Sequence, residues 1–352
     1  MKKTLLIISI SVSLLIILFS CTNIPTLPQI IPADPEGVTK PDPALYNDLQ
    51  VYISSDKNPF LVPLSIPDYV RVKISVPELS NLTEENLKVF EDGKAQGFLV
   101  FKESETRSNV DIMIVLDTTG SMGPAIEGVK SSIKNFIDTL EASGLNVKVG
   151  IVPYDDAAPA KDITLTKPWQ DLTDLNTARN FVDEIPNDGA GGDDLPENPY
   201  AGIMYAWNNA SWRSSSQKII ILITDASAHY KSEINPGNAA GETLYDKNEV
   251  ISAIQGYVTV HGAFVPVWYS ESTTDYTSPD DPREIVQKTG GIIKYTDSSG
   301  NVDLTSLGIL EYVQSSWIIA FESDSPSATH TIEVFIEKDG RKGYSKLEDI
   351  SY

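Results

Sequence analysis

The most informative run of this 352-residue sequence is Asp111-Ile112-Met113-Ile114-Val115-Leu116-Asp117-Thr118-Thr119-Gly120-Ser121-Met122. Residues 110–116 are apolar except for one aspartate, which is the composition of a parallel strand with both faces buried. The strand is followed by Asp117 and then by two hydroxyl side chains at alternate positions, Thr119 and Ser121. The intervening glycine lets the chain turn sharply, so the three side chains can converge. The run therefore predicts oxygen ligands for a hard cation at the carboxyl end of a buried strand.

Strands and helices alternate through the middle of the chain. Apolar runs typical of strands follow at residues 146–152, 218–223, 264–269 and 292–295. Apolar residues at helical spacing occur at residues 126–140, 176–185, 200–212 and 282–289. This alternation predicts an α/β fold, in which a doubly wound, mostly parallel sheet is flanked by helices over residues 109–305.

The two ends of the chain have strand patterns instead. Residues 70–76 alternate between apolar and polar side chains, and Asp92-Gly93 and Asp339-Gly340 are typical of hairpin turns. We expect residues 48–108 and 306–352 to pair in a small antiparallel β-sandwich, with the α/β domain inserted between them.

The first 20 residues have the pattern of a signal peptide, with Lys2-Lys3 followed by an apolar stretch that is short for a membrane-spanning helix. The following Ser20-Cys21 resembles the end of the bacterial lipobox, which implies lipidation at Cys21, the only cysteine. The chain is then expected in the cell envelope, lipid-anchored on the periplasmic or surface side of a membrane. An uncleaved anchor helix is the alternative. Residues 21–47 contain six prolines and predict a linker, either an extended spacer or a disordered leader.

Charge and composition narrow the classes of partner and activity. The chain has 49 acidic and 27 basic residues, for a net charge of −22, or −24 without the two lysines of the signal peptide. Such a charge repels nucleic acid, and we predict no nucleic-acid partner. We also predict that the protein is not an enzyme, because its three histidines accompany no hydrolase motif. A phosphoryl-transfer site of the Asp-Lys-Thr-Gly-Thr type is disfavoured, since Thr118 replaces its lysine.

The run at residues 111–122 resembles the opening of a von Willebrand factor type A domain, whose Asp-x-Ser-x-Ser signature marks a metal-ion-dependent adhesion site. The resemblance implies that Thr119 and Ser121 ligate a metal directly and that Asp117 acts largely through water. Residues 221–226 resemble the later strand of the family, so Asp225 is expected to supply a second-loop carboxylate. The third loop resembles a variant group of the family, and there Asp193 aligns best, with Asp194 as the alternative.

The resemblance implies a divalent cation, Mg²⁺ first with Mn²⁺ or Ca²⁺ as alternatives, and a metal-dependent protein-binding role in adhesion or assembly. The partner is a protein ligand or a component of an envelope complex. The alternative is a metal-stabilised structural subunit of such a complex, or a loop that has lost the metal. Four secondary candidates have other roles. His229 is a candidate for the rim of the site or a hydrogen-bonded loop histidine, and Tyr154-Asp155-Asp156 for a rim carboxylate pair, a second cation site or a turn. Residues 230–247 are a candidate specificity loop, and Trp169, Trp207 and Trp212 form either a ligand surface or packing contacts.

Overall fold

The computed structural model describes residues 28–59, 61–66, 68–155, 168–186, 196–234, 244–266, 276–297 and 303–352. Within them the strands are β1 Tyr52–Ser55, β2 Tyr69–Ser75, β3 Leu87–Glu91, β4 Lys94–Ala95, β5 Phe98–Lys102, β6 Asn109–Asp117, β7 Asn146–Tyr154, β8 Gln170–Thr173, β9 Ser216–Thr224, β10 Thr259–Phe264, β11 Ile293–Tyr295, β12 Ser316–Glu322, β13 His330–Lys338 and β14 Arg341–Ile350. The α-helices are α1 Glu103–Thr106, α2 Ile126–Ala142, α3 Leu175–Glu184, α4 Pro199–Asn209, α5 Lys247–Ile254, α6 Arg283–Lys288 and α7 Ile309–Gln314.

The central sheet has six strands in the order β11-β10-β9-β6-β7-β8 and is parallel except for β8. Apolar side chains of α2, α3 and α7 cover one face, and those of α4, α5 and α6 cover the other. The inner strands β6 and β9 are buried along almost their whole length, which explains their continuous apolar runs. The predicted doubly wound α/β fold is therefore confirmed.

The terminal strands form two further sheets, ordered β1-β2-β12-β5 and β14-β13-β3-β4. In the first sheet, β12 lies between β2 and β5, and in the second, β13 lies between β14 and β3. Residues from both sheets share one apolar core, which includes Val72, Ile74, Val334 and Trp317. The predicted sandwich of early and late strands is confirmed, with the α/β domain inserted after β5 and before β12.

Several elements differ from the sequence-based prediction. A strand was expected at residues 264–269, of which 267–269 lie outside the described residues; the described strand in this region is Thr259–Phe264. The antiparallel edge strand β8 and the helix α5 were not predicted. The helix α7 falls in a region for which only strands were expected, and it packs against the α/β sheet.

Residues 28–50, which include the end of the predicted linker, lie along the sandwich. Ile31 and Tyr46 are buried, and Tyr46 contacts the ring of Phe335 edge-on. Gly97 donates its N–H to Asp34, and a Cβ at Gly97 would lie 2.1 Å from the carbonyl oxygen of Pro32. The signal peptide and Cys21 are outside the described residues, so the predicted domain boundaries there stay predictions. Across the described residues, no helix combines the length and hydropathy needed to cross a bilayer.

Candidate metal site

The candidate site lies at the carboxyl edge of the central sheet, where the neighbouring parallel strands β6 and β9 end. Leu116 is paired with Ile223 in the register of these strands, so Asp117 and Asp225 leave the sheet side by side. After β6, a 3₁₀ turn over Gly120–Met122 brings the chain back over the strand end. The sheet topology therefore brings together residues that are more than 100 positions apart in sequence.

A continuous series of hydrogen bonds joins the two aspartates. The hydroxyl of Thr119 donates to Asp117 Oδ1 over 2.7 Å and lies 3.1 Å from the hydroxyl of Ser121. Ser121 in turn donates to Asp225 Oδ1 over 3.0 Å. Four of the five predicted ligands thus converge in one cluster.

The second carboxylate oxygen of Asp117 is held by the strands on either side. Thr224, the last residue of β9, donates its hydroxyl to Oδ2 over 2.7 Å, and the hydroxyl of Tyr154 from β7 lies 3.5 Å away. Asp117 is fully buried, so these donors replace the water that the carboxylate loses. Thr224 was not among the predicted site residues, although it lies directly before Asp225 at the end of a strand.

Burial and like charge dominate the electrostatics of the cluster. Burial, followed by the negative charge of Asp117, raises the pKa of the Asp225 carboxyl well above its usual range, while the hydrogen bond from Ser121 acts in the opposite direction. Burial and the charge of Asp117 likewise raise the pKa of the Tyr154 hydroxyl. Two carboxylates held close together in a buried site favour a positively charged ligand between them.

The donor set fits a hard dication. Neighbouring ligand oxygens around Mg²⁺ lie roughly 3 Å apart, given metal–oxygen distances of about 2.0–2.1 Å. The oxygen separations from Asp117 through Thr119 and Ser121 to Asp225 are 2.7, 3.1 and 3.0 Å. Among the described residues, no group of three or more His, Cys, Asp or Glu side chains is arranged to hold a metal. The cluster instead combines two carboxylates with two hydroxyls.

The residues that follow the third predicted loop are joined to the segment that follows Asp225. Asp193 and Asp194 lie outside the described residues, but Glu197 pairs with Ala228 in a parallel β-bridge. Ala228 is only three residues after Asp225, and two backbone hydrogen bonds of 3.0 and 2.8 Å join Glu197 to the residues flanking Ala228. Glu197 is almost fully buried and its charge contributes to the raised pKa of Tyr154. Nothing in the sequence pattern marks Glu197 as buried, and the prediction left it out of the site.

The secondary candidates occupy several environments. His229 is buried and its Nδ1 lies 2.8 Å from a carboxylate oxygen of Glu233. Asp155 is buried, while Asp156 and part of the 230–247 loop fall outside the described ranges. The three tryptophans pack with other rings, at centroid separations of 5.2 Å between Trp169 and Tyr205 and 6.1 Å between Trp207 and Trp212.

Two proteins of known sequence are similar to part of this chain. The alpha-protein kinase vwkA of Dictyostelium discoideum is 33% identical over 150 residues, which cover 42% of this chain and 23% of the kinase. An ariadne-like RING finger protein of Acanthamoeba polyphaga mimivirus is 27% identical over 128 residues, which cover 36% of this chain and 12% of that protein. The chain therefore spans less than a quarter of the length of either relative.

Solved structures also resemble the chain. The pilus adhesin SpaC of Lactobacillus rhamnosus GG aligns with a TM-score of 0.42 at 13% identity, over 89% of this chain and 49% of the adhesin. The manganese-loaded TRAP protein of Plasmodium vivax aligns with a TM-score of 0.35 at 11% identity, over 75% of this chain and 98% of that protein. Both similarities are too distant to bear on function.

Residues 111–261 match the family described as the von Willebrand factor type A domain. The match runs from β6 into β10 and includes both strand ends that carry the clustered aspartates. This chain therefore contains a von Willebrand factor type A domain at residues 111–261.

Proposed function

We propose that this von Willebrand factor type A domain binds a protein partner through a divalent cation, Mg²⁺ first. Asp117, Thr119, Ser121 and Asp225 would hold the ion, and Asp193 or Asp194 would complete the set from the third loop. A bound dication offers a partner an open coordination position for an oxygen ligand. The observation that carries the proposal is the series of oxygens, 2.7 to 3.1 Å apart, that links Asp117 to Asp225.

The protein supplies the rigidity that such a site needs. Thr119 and Ser121 follow directly from the buried strand β6, and Thr224 fixes the far oxygen of Asp117. Because both oxygens of Asp117 are already engaged, the carboxylate keeps its orientation without a metal. Little reorganisation is then needed when an ion enters.

The third aspartate bears on the class of partner. If Asp193 or Asp194 joins Asp117 and Asp225, three carboxylates surround one dication and leave a net negative charge. Such an ion attracts an incoming carboxylate less than an ion with two carboxylates does. We therefore expect the partner to present a neutral or basic surface with a hydroxyl or carbonyl oxygen, rather than a single acidic side chain.

The proposal extends to the cellular context. Signal-peptide patterning at residues 1–20 and the lone Cys21 support a lipid-anchored protein of the cell envelope, with the binding domain on the periplasmic or surface side. The partner would then be a protein ligand or a component of an envelope complex.

Calorimetric titration with Mg²⁺ and Ca²⁺ tests the metal site, with Ser121→Ala as the disrupting variant. Ser227→Ala is the matched control, because its hydroxyl donates to the carbonyl of Ser278 over 2.5 Å in a nearby loop. We expect the wild type and the control to bind Mg²⁺, and Ser121→Ala to bind at least about 10-fold more weakly, since loss of a supporting contact alone costs about that much. Equal binding by all three proteins would refute the ligand set.

Affinity capture from envelope extracts, with and without EDTA, then tests the binding role. A partner that the wild type and Ser227→Ala retain only with Mg²⁺, and that Ser121→Ala does not retain, supports the proposal. Metal binding that stabilises the fold without any metal-dependent partner would favour the alternative, a metal-stabilised structural subunit.

A further inference from the structure

The sandwich and the von Willebrand factor type A domain meet across a buried cluster of charged and amide side chains. It lies at the start of β9, the end of the sheet opposite the candidate metal site. Asp56 and Asn58 come from the sandwich side, Glu103 and Arg107 from the connection into the domain, and Lys218 from β9 itself. None of the five is more than 8% exposed.

Within this cluster, a lysine amine contacts a fixed side-chain amide. Lys218 Nζ lies 2.7 Å from Asn58 Oδ1. The amide nitrogen of Asn58 donates to the backbone carbonyls of Tyr257 over 2.7 Å and Gly256 over 3.3 Å, which sets the orientation of the amide. The backbone carbonyl of Asn58 also accepts a hydrogen bond of 2.6 Å from Arg71. The amide carbon is therefore held beside the amine with little freedom to move.

The carboxylate-bearing residue Glu103 lines the same cavity as Lys218 and Asn58. Glu103 Oε1 accepts from Arg107 over 2.9 Å, but Oε2 is buried and has no hydrogen-bond partner among the described residues. Asn58, Glu103 and Lys218 line one cavity of about 10 Å³. A buried oxygen without a donor costs about 1–3 kcal/mol, so its presence calls for an explanation.

We propose that Lys218 and Asn58 form an intramolecular isopeptide bond and that Glu103 transfers the proton. The neutral amine of Lys218 attacks Cγ of Asn58, the Nζ–Cγ bond forms, the Cγ–Nδ2 bond breaks and ammonia leaves. Glu103 accepts a proton from the attacking nitrogen and donates one to the leaving nitrogen, so its carboxylate is regenerated. The reaction consumes no oxidant, reductant or other co-reactant.

Two features support this assignment. Burial, and then the positive charge of Arg107, lower the pKa of the Lys218 ammonium, which increases the fraction of nucleophilic neutral amine. Lys73 lines the same cavity, but its Nζ donates to the hydroxyl of Thr259 over 2.5 Å. An amide therefore faces Lys218, whereas a hydroxyl faces Lys73. The bond would tie the inserted domain covalently to the sandwich, in addition to the two chain connections.

Peptide mass spectrometry of the purified, denatured full-length chain tests the proposal. Trypsin does not cleave after an acylated lysine, so residues 214–231 should remain intact and be joined to residues 58–71. We expect the joined peptide to weigh the sum of the two peptides less one ammonia. If most of the wild-type digest contains the two segments as separate linear peptides, with cleavage after Lys218, the proposal is overturned.

Variants separate the roles of the residues. Lys218→Arg keeps the charge but should abolish the joined peptide, and Glu103→Gln should lose most of it. Lys73→Arg is the matched control and should retain it. A joined peptide of undiminished yield in Glu103→Gln would overturn the role of Glu103. Because the wild-type digest needs no substitution, the bond itself stays testable even if a variant fails to fold.

Discussion

Replacing Asp225 by asparagine should stabilise the metal-free protein while removing its response to Mg²⁺. Asp225 is buried, and burial together with the charge of Asp117 raises the pKa of its carboxyl. Asparagine keeps an acceptor oxygen for the hydroxyl of Ser121 and has nearly the same volume. The substitution therefore removes a charge and leaves the packing in place.

The magnitude follows from the hydrogen-bond series. The separations of 2.7, 3.1 and 3.0 Å place the two carboxylate oxygens no more than about 9 Å apart, where two unit charges at an effective dielectric constant of about 20 repel by roughly 2 kcal/mol. We therefore expect Asp225→Asn to raise the free energy of unfolding in EDTA by about 2 kcal/mol. A cation at 100 times its Kd stabilises a protein by about 2.7 kcal/mol, and the variant should lose that gain.

Urea unfolding at pH 8, in EDTA and in excess Mg²⁺, measures both effects. Asp111→Asn is a suitable control, because Asp111 is also fully buried but pairs with Arg213 at 2.6 Å. Breaking that pair should cost about 3–5 kcal/mol in either buffer and leave the Mg²⁺ response intact. If Asp225→Asn is less stable than the wild type in EDTA, or if Mg²⁺ still stabilises it fully, our account of the site is wrong.

Three further predictions concern stability outside the site. Gly97→Ala would place a Cβ 2.1 Å from the carbonyl oxygen of Pro32, so we expect residues 28–34 to become accessible to limited proteolysis. Gly340→Ala adds no contact within 4 Å and strains only its own turn, where φ is +75°, so it should leave residues 28–34 protected. Burial and the charge of Lys73 lower the pKa of His261 to about 3. The unfolded chain then binds this proton more readily, so the free energy of unfolding of the wild type should fall by about 1.4 kcal/mol per pH unit as the pH falls below about 6.5. In urea titrations, His261→Gln should show a weaker dependence on pH. Burial lowers the pKa of His330, but hydrogen bonds to Asp92 and to the carbonyl of Ser325 outweigh burial and raise the pKa. The protonated His330 therefore stabilises the folded state in acid, and this contribution is lost as the pH rises through the folded-state pKa. In the same urea titrations, Asp92→Asn should lower the free energy of unfolding at pH 5 but not at pH 9.

The sequence predicted the structure best where a strand is buried on both faces and ends in a candidate ligand side chain. The strands β6 and β9 have unbroken apolar runs that end in aspartate, and both the strands and the converging oxygens were predicted from them. The strand β10 was misplaced because Thr-Val-His-Gly-Ala-Phe contains a histidine and a glycine, while the more apolar residues after it resemble a strand better. Buried in the structure, His261 accepts the N–H of Ile292, an environment that a local pattern does not reveal.

Short or edge elements gave weaker signals. The strand β8 buries only Leu172, and the helix α5 buries only Val250 and Ile254, so neither has enough apolar periodicity to stand out. The cluster of Asn58, Glu103 and Lys218 had no sequence signal at all, because its members are far apart in the chain and each is an ordinary polar residue in its own segment. Only the packing of the sandwich against the inserted domain brings them together.

The two ends of β6 show why residue type alone does not identify a functional carboxylate. Asp111 and Asp117 are both fully buried and flank the same apolar run, so the sequence pattern hardly distinguishes them. At the first end, Arg213 neutralises Asp111 with hydrogen bonds from its backbone and its guanidinium group, each 2.7 Å long. At the second end, hydroxyl and amide groups orient Asp117 without cancelling its charge, and Asp225 lies one strand away. Because a carboxylate already paired with a guanidinium gains little from a cation, the end at Asp117 is the better candidate for the proposed cation site.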